Sequence, residues 1–183
     1  MPADSDKIET INPIFIVPFR YGLLASVISI ALFLILYYAG KNPLLIPAIL
    51  DFRVILFPII LVFAIRDFKE LKNRRVLHFW QGLSVGFQTI LISSLIMAIF
   101  IFIFGGLIEP QFVQEYILKM TDQINSLSEE VIESIGEDAF VRSLELLPDT
   151  TIFDLSFDYF LKSLPYGVFL TIIISLILRK KTI

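Results

Sequence analysis

The sequence predicts an all-α integral membrane protein with four transmembrane helices, about residues 21–40, 44–65, 79–105 and 163–178, and an amphipathic helical excursion between the third and fourth. Three observations lead there. Hydrophobic residues make up 56% of the 183 and mean hydropathy is +0.81, against about 45–50% apolar content in soluble domains. The apolar residues are gathered into long charge-free runs. Cations collect at the ends of those runs, as they do on the cytoplasmic side of membrane proteins. The length suits one domain, residues 1–183.

Composition also excludes chemistry. With no cysteine there is no disulfide, thiol nucleophile or Cys-based metal site. One histidine cannot build a His-based metal centre, and no cofactor motif is present, so no metal or cofactor is expected. The net charge of −3 names no partner by itself.

Residues 1–19 read as a short cytoplasmic tail, with three acids, one lysine and three prolines. They lack the basic start and small-residue cleavage site of a secretory signal. The first span, "YGLLASVISIALFLILYYAG", is bracketed by Arg20 and Lys41. At 1.5 Å per residue it is roughly 30 Å long, the thickness of the hydrocarbon core. The second is less clean, because "VILFPIILVFAI" is too short to cross and extension back to Leu44 takes in Asp51, Arg53 and Pro47. Counted from Ile65, Arg53 and Asp51 lie about 18 and 21 Å deep along such a helix. The third is the longest uncharged run, residues 79–108, and must tilt or protrude. The fourth, "SLPYGVFLTIIISLIL", lies between Lys162 and "RKK", with Lys162 snorkelling.

Between the third and fourth spans, residues 109–162 carry twelve acids against Lys119, Arg142 and Lys162. Val113, Ile117, Met120, Ile124, Leu127 and Val131 recur alternately four and three apart, an amphipathic helical period close to a heptad seam. Gly136 is a natural helix stop, and "DAFVRSLELL" reads as a second short helix ended by Pro148.

Orientation follows from the cations. Arg66, Lys69, Lys72, Arg74 and Arg75 crowd the second connection, Arg179, Lys180 and Lys181 end the chain, and Lys7 and Arg20 precede the first span. Short Lys/Arg-rich segments stay in the cytoplasm. Both termini are therefore expected inside and the acidic segment outside, with the cations and Trp80 as topology and headgroup contacts.

Ionisable residues at membrane depth are candidates for function, which singles out Asp51 and Arg53. The bland alternative is that Pro47 delays the span and leaves both near the outer headgroups. Two apart on a helix, they point away from each other. His78 beside Asp67 or Glu70 offers a general base only if a substrate cleft joins them; the plainer reading is an interfacial boundary. Gly22 and Ser26, Gly82 and Gly86, and Gly167, Thr171 and Ser175 are small residues at helical spacing, candidates for helix packing within the bundle or in a dimer. The 113–131 seam reads plainly as a helix lying on its own bundle or on the outer leaflet, and more sharply as a candidate docking face for another envelope protein or a second copy. Its acids make anionic lipid a poor cover. A nucleic-acid site is not expected in the short basic connection, where Asp67 and Glu70 interrupt the charge.

The ordered run "AIRDFKELKNRRVLHFWQGLSVGF", the acidic excursion and the ending "LPYGVFLTIIISLILRKK" together resemble a family of small four-helix bacterial inner-membrane proteins, a domain of unknown function (DUF4199-like), over roughly residues 20–181. Arg66, Phe79, Gly86, Pro165 and Gly167 match family positions, while "HFWQG" is bulkier than the usual residues there. The resemblance implies the fold and an inner-membrane location and carries no catalytic residues. The expected function is non-enzymatic, a partner or scaffold subunit of a cell-envelope assembly. The alternatives are a small oligomeric transporter or channel using Asp51 and Arg53 and, third, a protein accessory to or catalysing lipid-linked envelope chemistry.

Overall fold

The computed structural model describes residues 12–46, 51, 53–72 and 76–179. All regular structure among them is helical: α1 Pro13–Tyr38, α2 Arg53–Lys72, α3 Phe79–Ile103, α4 Phe112–Asn125, α5 Glu129–Ile135, α6 Glu137–Leu146 and α7 Ile152–Leu178. Helices α1, α2, α3 and α7 pack as an up-down-up-down bundle in which α3 is central, lying against α1 and α7.

Three of these helices, Pro13–Tyr38, the run Phe79–Ile108 and Ile152–Leu178, are long and apolar enough to cross a membrane. The expected second span, 44–65, is not among these three; residues 47–50 and 52 of it lie outside the described part. Its helix begins at Arg53 and runs on to Lys72, so its charge-free stretch is too short to cross unaided. The helix continues through Arg66–Lys72 because its apolar stripe does. Leu61, Ala64, Ile65 and Phe68 fall on one face at helical spacing and are fully buried. Phe68 lies beyond the apolar run, and burying it is worth about 2 kcal/mol relative to exposure to water. The basic connection is correspondingly shorter than expected from the sequence.

The first and last helices are longer than their hydropathy suggests. Asn12 caps α1, its Oδ1 accepting from the Ile14 N–H at 3.3 Å, with Pro13 in the first turn. Residues Pro13–Phe19, expected in the tail, are therefore helical; residues 1–11 lie outside the described part. Helix α7 starts eleven residues before the expected 163. Thr151 and Asp154 form a reciprocal capping box. The Asp154 carboxylate accepts from the Thr151 N–H at 2.9 Å, and Thr151 Oγ1 accepts from the Asp154 N–H at 3.2 Å.

The core has two halves. At one end Val17, Phe57, Leu61, Ile65, Phe68, Leu77, Val85 and Ile90 meet. At the other, Phe33, Met97, Phe104, Phe112, Leu155 and Tyr159 meet. Phe104 sits edge-on to Phe33 at 5.5 Å and 84° and to Phe112 at 5.6 Å and 82°, the favoured aromatic geometry. Helix α3 ends in a π turn, Phe104–Ile108, closed by the Glu109 N–H on the Phe104 carbonyl at 2.8 Å. A Cβ on Gly105 in this turn would crowd the tip of the Ile152 side chain and the Phe112 ring.

Candidate interaction surfaces

The bundle has a basic end. The starts of α1 and α3 meet the ends of α2 and α7 there, so cations far apart in sequence share one level. Arg20 on α1 approaches Asp67 on α2 at 3.7 Å. Lys69 Nζ donates to the Leu178 carbonyl at 3.0 Å. Arg66 and Arg179 are exposed. Trp80, in the first turn of α3, is 74% exposed. His78, before that turn, is exposed, and its backbone N–H is taken by Gln81 Oε1 at 3.2 Å. Asp67, one of the carboxylates that His78 would need, is engaged by α1. Of the remaining candidates at this end, Arg74, Arg75, Lys180 and Lys181 lie outside the described residues, as does the Lys72 side chain.

Asp51 is buried, at 7% exposure, shortly before the first turn of α2. The backbone of Arg53 opens that helix and its side chain lies outside the described part. Beside the end of α1, Asn42 is buried. Its Oδ1 accepts from the Leu44 N–H at 3.0 Å, while its Nδ2 has no partner. It borders an open cavity of about 520 Å³ shared with Leu36, Lys119, Asp122 and Gln123. Lys119 donates to the Gly40 carbonyl at 3.2 Å, tying α4 to the end of α1. Among the described residues, no three His, Asp or Glu side chains gather as a metal site requires.

The small residues of α3 and α7 face one another. A Cβ on Gly82 would lie 2.8 Å from Ser175 Oγ, and one on Gly86 would collide with the Thr171 methyl and hydroxyl. One on Gly167 would collide with Ile90, and one on Gly22 would meet Ile92 at 2.9 Å. Ser26 is buried and donates to the Leu23 carbonyl at 2.8 Å. All of these positions are occupied by contacts inside the bundle. The partners Ile90 and Ile92 could not be found from sequence, because large residues carry no signal of the small one opposite.

The excursion divides into a covered and an uncovered part. On α4, Phe112, Val113 and Tyr116 join the second core half. Ile117 and Met120 are half-buried and Ile124 is buried. Burial, and then the Asp158 carboxylate on α7, push the Tyr116 hydroxyl above the usual tyrosine range. The expected continuous seam breaks after Asn125, with Ser126 closing α4 and Ser128 preceding α5. Leu127 and Val131, beyond the break, are exposed at 36% and 38%. No described side chain of α5 or α6 is buried. The two helices meet at Gly136, whose φ of 95° is natural only to glycine.

A family model described as "Protein of unknown function (DUF4199)" matches residues 20–180, which takes in the bundle and its excursion. No curated protein and no solved structure matches the chain.

Proposed function

The chain belongs to this family, and we propose that it is a non-enzymatic integral membrane protein, a partner or scaffold subunit of a bacterial cell-envelope assembly. In this reading it sits in the inner membrane with α2 crossing alongside the three long helices, both termini cytoplasmic and the acidic excursion outside. Arg20 on α1, Arg66 and Lys69 on α2, and Arg179 just after α7, at one end of the bundle, support that orientation, since short basic segments remain in the cytoplasm.

The observation that carries the reading is the contrast between bundle and excursion. Small residues and large neighbours fill the helix interfaces, whereas α5 and α6 are amphipathic helices without one buried described side chain. Helices of seven and ten residues are marginal alone, since isolated helices need about 12–15 residues to persist in water. A binding partner supplies the missing cover. Extraction in mild detergent after gentle crosslinking tests the reading. A second protein in fixed stoichiometry is expected, and a clean monomer contradicts it.

The burial of Asp51 favours a second reading, a small oligomeric transporter or channel in which Asp51 and Arg53 serve the transported species. It requires that Asp51→Asn abolish ion or proton flux in reconstituted vesicles while the fold persists. Retention of full flux removes Asp51 from that role.

A further inference from the structure

Resting on the scaffold reading, we propose that the α5–α6 hairpin is the docking surface itself and that its occupant is a protein presenting an apolar patch rimmed by lysine and arginine. Val131, Val141 and Leu146 are exposed at 38%, 45% and 58%, and Ile132, Phe140 and Leu144 are only half-buried. Around this apolar surface stand Glu129, Glu130, Glu133, Glu137, Asp138, Glu145 and Asp149, with Arg142 the one cation in residues 128–149.

Charge decides between occupants. Helices that lie in a bilayer surface carry Lys and Arg on their polar face, and an anionic leaflet repels this one. A second copy in the same orientation presents the same acids, with Arg142 alone to meet them in its own hairpin. A basic-rimmed protein patch matches both the apolar residues and their border, with the rim charges setting encounter rate and specificity. Helix α4 is not the docking surface, because its apolar face is covered by the bundle.

The test places a photoreactive p-benzoylphenylalanine at Val141, Leu146 or Phe157, one at a time, in the full-length chain in its native membrane. Phe157 is a comparison position, in an apolar groove between α3 and α7. The expected result is one protein adduct from Val141 and Leu146, with Lys- or Arg-rich peptides at the crosslink. Its yield should fall about tenfold when Glu129, Glu130 and Glu133 are all changed to Gln, and again in high salt. Unchanged unfolding of the triple variant in detergent shows that the loss is not misfolding. Lipid adducts, self-adducts or a charge-insensitive protein adduct overturn the proposal. A protein adduct from Phe157 alone overturns it and leaves the scaffold reading standing. No protein adduct from any position overturns both.

Discussion

Lys69, in the last turn of α2, donates from Nζ to the carbonyl of Leu178 in the last turn of α7, at 3.0 Å. The contact joins residues 109 apart in sequence and gives one cation of the charged stretch a defined structural task. The final carbonyls of a helix have no intrahelical donor and carry its negative dipole end, so an ammonium there satisfies both needs. Lys69→Met is expected to cost about 0.3–1 kcal/mol, with Lys69→Arg retaining most of it. Detergent-based unfolding titration measures this, and an unchanged midpoint in Lys69→Met refutes the capping role.

Gly86 is held against Thr171 with no room for a β-carbon. Gly86→Val is expected to destabilise the bundle by about 1–3 kcal/mol, as overpacking of a close interface does. Removing the opposing methyl and hydroxyl with Thr171→Ala in the same chain should restore part of that loss. Gly106→Ala, with nothing within 4 Å, is the silent control. Equal effects at Gly86 and Gly106 would show that the α3–α7 seam is not close-packed.

Thr151 and Asp154 set where α7 begins. Thr151→Val should cost about 1 kcal/mol, and both Thr151→Val and Asp154→Ala should raise hydrogen exchange in the first turn of α7 while leaving Tyr159 and beyond protected. Protection unchanged at residues 152–157 would mean that packing of Ile152 and Leu155, not the cap, holds this turn.

At Gly136 the backbone is left-handed, with φ at 95°. Gly136→Ala is expected to cost about 1–2 kcal/mol, confined to α5 and α6. Proteolysis between residues 128 and 149 should quicken while bundle unfolding is unchanged. A drop in bundle stability instead would show that the hairpin is integral to the bundle.

Much of the architecture was legible in the sequence, and the misses have physical causes. Helix α3 begins at the expected residue and ends within two of the expected boundary, because a long charge-free run needs no finer signal. The full extent of α2 was hidden because hydropathy registers Arg66, Asp67 and Lys69 but not the Leu61–Ala64–Ile65–Phe68 stripe beneath them. The start of α7 was hidden because Asp154, Asp158 and Lys162 dilute an apolar helix, although "TIFD" is a readable capping box. The heptad seam over 113–131 overlooked the two serines that end one helix and precede the next. Among the site candidates, small residues were recognisable from spacing alone. Which of them meet, and which apolar face of the excursion stays uncovered, depends on tertiary packing that one sequence does not display.

Whether α2 crosses is decided by labelling, and the absence of cysteine makes single-cysteine variants clean. Lys41→Cys, Glu70→Cys, Val141→Cys and Arg179→Cys would each be treated with a membrane-impermeant maleimide in right-side-out cells stripped of their outer barriers. The expected result is labelling at 41 and 141 from outside, with 70 and 179 reacting only after permeabilisation. Labelling of 70 together with 41, or protection of 141 while 179 reacts, would contradict a bundle that presents its acidic excursion alone on the outer face.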